Sequence, residues 1–70
     1  MPSLKWTDAD EIGLRLSEKF PRVDPLTVHF TDLHKRVTGL EGFDDDPAAS
    51  NEGLLEAIQM AWLESRREND

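Results

Sequence analysis

The chain has 70 residues, a hydrophobic fraction of 37%, a charged fraction of 33% and a formal net charge of −7. That length permits one domain near the size where a single apolar core barely outweighs chain entropy, and no apolar run reaches the roughly 20 residues that span a bilayer. The lack of cysteine excludes disulfides, thiolate metal sites and cysteine-ligated clusters, and with no basic-then-apolar leader pattern the expected location is the cytoplasm.

In chain order, Lys5-Trp6 reads as a short extended entry and Thr7 as the N-cap of a first helix. Asp8, Asp10 and Glu11 fall in its first turn, where the helix dipole favours anions by roughly 0.3–1 kcal/mol each. Ala9, Ile12, Leu16 and Phe20 recur at steps of three and four and line one face, and Pro21 stops the helix. Asp24-Pro25 is turn chemistry, and Leu26 to Phe30 is β-branched enough to be extended. Thr31 is the expected cap of a second, short helix that buries Leu33, Val37 and Leu40 and ends near Gly39. A loop over residues 41–49 follows, with Phe43 as its apolar anchor. Ser50 then caps a third helix with Leu54, Ile58, Ala61 and Trp62 as its stripe, Leu55 beside it, and Arg66 and Arg67 in its last turn. The expected fold is mainly α: one three-helix domain over residues 1–70, with a short extended segment and a frayed tail over 65–70. That arrangement suggests a small helical domain related to the winged-helix or helix-turn-helix class.

Charge is unevenly spread. Residues 1–40 carry six acids and six bases, whereas residues 41–56 carry Glu41, Asp44, Asp45, Asp46, Glu52 and Glu56 with no base. Six of the seven excess negative charges therefore sit in sixteen consecutive residues, a field that attracts cations and basic partners and repels nucleic acid. A reader of DNA phosphates needs a basic face, so DNA binding is a disfavoured reading of this fold class, which does not by itself fix function.

Catalysis finds little support in this sequence. No glycine-rich phosphate loop is present, and Ser17, Ser50 and Ser65 lack the glycines of a nucleophile elbow. His29 and His34, with Asp32 between them, have a spacing of five that puts them off a common helical face, and they read as surface histidines. A calcium loop begun at Asp44 fails, because Ala48, Ala49 and Leu55 occupy its fifth, sixth and twelfth positions. The cluster Asp44-Asp45-Asp46 is then either a solvated loop or an open set of oxygen ligands for hard cations such as Fe²⁺, Mg²⁺ or Ca²⁺. Trp6 and Trp62 read as packing residues.

Four stretches together resemble one family: L-K-W-T-D (Leu4–Asp8) with E-I-G (Glu11–Gly13), D-P-L-T-V-H-F-T-D-L-H (Asp24–His34), F-D-D-D-P-A-A-S-N-E (Phe43–Glu52), and Leu55–Leu63. The chain resembles the IscX family, small acidic proteins of bacterial iron–sulfur cluster assembly, from about residue 4 to residue 64. It departs from the family pattern at His29, Arg36 and Gly53. The resemblance implies a modified winged-helix fold, binding to the cysteine desulfurase on a surface shared with frataxin and ferredoxin, and weak, labile binding of ferrous iron (Fe²⁺) by surface acids. It implies an adaptor or regulator, not an enzyme, acting as a monomer with no nucleic acid and no membrane partner. The alternatives are an iron chaperone or donor and, less favoured, a nucleic-acid-binding winged helix. The expected partner-binding residues are Glu41, Asp44, Asp45, Asp46, Glu52 and Glu56. The expected iron ligands are Asp8, Glu11, Asp44, Asp45 and Asp46.

Overall fold

The computed structural model describes residues 3–68. It contains three helices, α1 (Ala9–Lys19), α2 (Phe30–Thr38) and α3 (Glu52–Glu68), with one-turn 3₁₀ segments at Pro25–Thr27 and Pro47–Ala49. The expected mainly α, three-helix domain is what the chain forms. Among the described residues, β structure is a single parallel bridge between Leu4 and Phe43.

α1 forms where the 3.6-residue period of Ile12 and Leu16 runs between Asp8 and Pro21, and both side chains are fully buried. Its second buried row, Gly13 and Ser17, is made of small residues. That row decides how α1 meets α3. A methyl group added at Gly13 would stand 2.6 Å from the backbone of both Ala61 and Trp62, so the two helices cross with almost no side chain between them. Ser17 satisfies its hydroxyl locally by donating to the Leu14 carbonyl at 2.7 Å. Thr7 is not the cap. Asp8 occupies that position, and its carboxylate turns back to accept the Lys5 N–H at 2.9 Å, closing the entry turn instead of bonding to the helix.

The segment expected to be extended is mostly a turn. Asp24 accepts the Leu26 N–H on its side chain at 3.0 Å, an Asx-turn that outcompetes β propensity. Pro25 starts the 3₁₀ segment, which leaves only Val28 and His29 in extended geometry. Pro25 is buried, and its carbonyl accepts the Gln59 side-chain amide at 2.8 Å, which fastens the linker to α3. α2 begins two residues earlier than expected. His29 takes the cap position, without a side-chain bond, and Thr31 lies inside the helix.

The core is built from Leu4 and Trp6 of the entry segment, Ile12 and Leu16 of α1, Leu33 and Val37 of α2, Leu40, and Leu55, Ile58 and Trp62 of α3. The buried face of α3 thus carries Leu55, with Leu54 and Ala61 only half-buried at its margins. Asn51, not Ser50, caps α3, accepting the Leu54 N–H at 2.9 Å. The helix continues through Glu68, past the expected fray at Ser65, while Asn69 and Asp70 lie outside the described residues. Phe20 and Trp62 meet with ring centroids 6.3 Å apart, and the Arg36 guanidinium lies 4.5 Å from the Phe20 centroid. Arg36 therefore covers the end of the core as well as the surface of α2.

The Gly13 crossing is directly testable. Gly13→Ala is normally favourable in a helix interior by up to about 1 kcal/mol. Here the methyl meets backbone, and the expected net effect is a loss of roughly 1–3 kcal/mol. Urea unfolding of the variant should show a lower midpoint with an unchanged slope; a variant as stable as the parent would disprove the close crossing.

Candidate acidic docking site

The acidic segment begins with a turn that needs glycine. Gly42 has φ +87°, the left-handed region, and no other described residue has a positive φ. This turn delivers Phe43 alongside Leu4. The Leu4 N–H donates to the Gly42 carbonyl at 2.8 Å, and the Asp44 N–H donates to the Leu4 carbonyl at 2.9 Å. Phe43 then sets its ring edge-on to Trp6, with centroids 5.0 Å apart.

From there the three aspartates diverge. Asp44 has a side chain 79% exposed and 3.7 Å from the Lys5 ammonium, which also bonds to the Asp44 carbonyl. Asp45 is half-buried and spends both oxygens on backbone: one accepts the Trp6 N–H at 3.0 Å, the other the Asp46 N–H at 2.8 Å. Asp46 caps the 3₁₀ segment by accepting the Ala48 N–H at 2.9 Å, and its carbonyl accepts the Trp6 indole N–H at 2.7 Å. The next carbonyl, Pro47, lies 2.6 Å from His34 Nε2. A carbonyl can only accept, so Nε2 carries the hydrogen. The His34 ring in turn lies 5.3 Å from that of Trp6.

These contacts set the electrostatics. The Asp45 carboxyl is held below the ordinary aspartate value of 3.8, first by the Trp6 N–H and then by the Asp46 N–H, against the opposing effect of burial, with the Lys5 charge the smallest contribution. Asp45 is thus a fixed carboxylate with its hydrogen-bonding capacity turned inward. The solvated-loop reading of Asp44-Asp45-Asp46 holds for Asp44 alone.

The remaining expected site residues are dispersed. Asp8 accepts the Lys5 N–H, and Glu11 accepts from Arg15 Nε at 3.1 Å in an i, i+4 pair. Among the described residues, no three His, Asp or Glu side chains converge as a metal-holding group. Glu41 lines a shallow groove with Arg15, Glu18, Lys19 and Leu40, beside bases of α1. Glu52 and Glu56 are exposed on the first two turns of α3. His29 is exposed at the start of α2, whereas His34 is half-buried and committed to Pro47. Sequence reasoning missed Trp6, Lys5 and His34 as the holders of the acidic loop. Trp6 and Asp45 are 39 positions apart, and no local pattern announces their pairing.

Two comparisons bear on this arrangement. The family model described as iron–sulphur cluster assembly matches residues 4–67. The chain is also similar to an uncharacterized protein of Pseudomonas aeruginosa, 55% identical over 64 residues, which cover 91% of this chain and 97% of that protein.

The division of labour among the aspartates predicts a pH signature. A lowered native value means that the stabilisation from Asp45 is fully present above 3.8 and is lost as pH falls through that lowered value. Asp45→Ala should therefore lower the urea midpoint at neutral pH, and its deficit against the parent should shrink below pH 3.8. Asp44→Ala, at an exposed side chain, should stay within about 0.5 kcal/mol of the parent at every pH.

Proposed function

This chain belongs to the iron–sulphur cluster assembly family, the IscX family, and we propose that within it the chain is a non-enzymatic adaptor. It docks on the cysteine desulfurase through its acidic segment, in competition with frataxin and ferredoxin, and so regulates cluster assembly in the cytoplasm. The observation that carries this reading is the concentration of six of the seven excess charges in residues 41–56, on a loop held by Trp6 and on the first two turns of α3. A held loop loses little conformational entropy on docking. Charges at the rim of an interface mainly raise the association rate and the salt sensitivity, which suits a partner that must exchange with others.

Ferrous iron fits the same surface as cargo. Carboxylates are suitable ligands for a hard divalent ion, and a chain without cysteine has no thiolate with which to hold a cluster. With no converging group of three carboxylates among the described residues, each iron takes one or two protein oxygens and completes its shell with water. Binding of that kind is weak and exchangeable. Asp44, Glu52 and Glu56, exposed and without structural bonds from their carboxylates to the backbone, are the acids best placed for both roles.

Calorimetry with the desulfurase tests the docking. Affinity should fall steeply from low to high salt. The triple change Asp44→Asn, Glu52→Gln, Glu56→Gln should weaken low-salt binding about tenfold, at roughly 0.5 kcal/mol per rim charge. Affinity indifferent to both salt and the triple change would overturn the acidic docking. For iron, anaerobic Fe²⁺ titration followed by NMR should broaden signals of Asp44, Glu52 or Glu56 while leaving Asp45 sharp. Broadening spread evenly over all acids would mean that no carboxylate is selected.

A further inference from the structure

Between α2 and α3 lies an open groove of about 390 Å³ lined by Phe30, Thr31, His34, Lys35 and Leu55. Its walls are almost wholly apolar, and its size lies at the small end of ligand sites, suited to a side chain more than to a cofactor. The floor cannot shift far. Leu55 is 7% exposed and belongs to the core, Phe30 packs against that core, and His34 is pinned to the Pro47 carbonyl and lies against Trp6.

The surroundings of the groove are acidic. His34 joins it to the loop at Pro47, directly after Asp46, and Leu55 stands one helical turn after Glu52 and next to Glu56, both exposed. Lys35 is the single cation among the lining residues. We propose that this groove receives one bulky aliphatic or aromatic side chain from a basic segment of the docking partner, so that an apolar anchor sits inside the acidic docking surface. The proposal rests on the adaptor reading and assigns it a contact that charge alone does not supply. Charge complementarity selects the occupant: a second copy of this chain would bring another −7, and nucleic acid is repelled by the same field. A lysine- or arginine-flanked apolar residue satisfies both the rim and the floor.

Burying such a side chain is worth roughly 10- to 100-fold in affinity, and this share is insensitive to salt. Thr31 is exposed on the groove wall, so Thr31→Trp fills the groove from outside the core and Thr31→Gln crowds it more gently. The first probe is a short synthetic peptide with one phenylalanine flanked by lysines, followed by NMR. It should shift signals of Phe30, Thr31 and Leu55, and the same peptide with alanine for phenylalanine should not. Thr31→Trp should abolish those shifts and Thr31→Gln should reduce them, with both variants melting like the parent. Shifts confined to the acids, or identical for both peptides, would overturn the groove. In the second arm, Thr31→Trp should lower desulfurase affinity by the stated factor equally at low and high salt, with a smaller heat-capacity decrease on binding. A desulfurase that binds parent and Thr31→Trp alike would overturn the proposal. A desulfurase that binds neither would overturn the adaptor reading, while the peptide shifts still decide the groove.

Discussion

Trp6 is the residue on which the acidic loop depends. It is 1% exposed, and its two N–H groups reach consecutive aspartates: the backbone donor to the Asp45 carboxylate, the indole donor to the Asp46 carbonyl. Magnitudes explain why three adjacent carboxylates tolerate this. Two unit charges about 6 Å apart in water repel by less than about 1 kcal/mol. Asp45 accepts two backbone donors, and a charged acceptor strengthens each of those bonds. These contacts offset the weak repulsion, and the loop folds onto the entry segment instead of standing away in solvent.

The two tryptophans contrast in a way that composition does not reveal. Trp62 is fully buried and its indole N–H has no protein acceptor among the described residues, so its contribution is packing, against Phe20 and under the close approach of Gly13. Trp6 packs too, but its hydrogen bonds join residues 39 and 40 positions apart. One tryptophan sits where α1 crosses α3; the other fixes the surface that carries the charge. A small domain with little core to spare gains from this separation, because changes to exposed acids leave the helix crossing untouched.

Much of the fold was legible from residue spacing. Ile12 and Leu16, Leu33 and Val37, and Ile58 and Trp62 recur at helical periods, and all six are buried. What misled was local competition for hydrogen bonds. Thr7 and Ser50 are good caps by type, yet the structure places Asp8 and Asn51 at the helix starts. The β-branched run after Asp24 yields to a turn because the Asp24 side chain bonds to Leu26. Gly13 entered the sequence reading only as part of the E-I-G motif, since its packing role is to leave room for a backbone 48 positions away. The candidate site was legible as a concentration of charge and as a family resemblance that the comparison over residues 4–67 supports. Which aspartate faces inward was not, since that follows from long-range pairing with Trp6.

Fixing the acidic loop has a further consequence for recognition. A mobile acidic loop offers a diffuse field and must be ordered on docking, whereas this loop presents Asp44 at a set position beside Lys5. His34, held by the Pro47 carbonyl, also lines the groove between α2 and α3. Charge and shape are thus coupled through one side chain: His34 lies against Trp6 on one side and lines the apolar surface on the other. In the docking proposed above, long-range attraction from the acids sets how fast a basic partner arrives, and short-range apolar contact sets how long it stays. The Trp6 contacts tie the two together, so a buried residue fixes the loop backbone directly after the exposed Asp44.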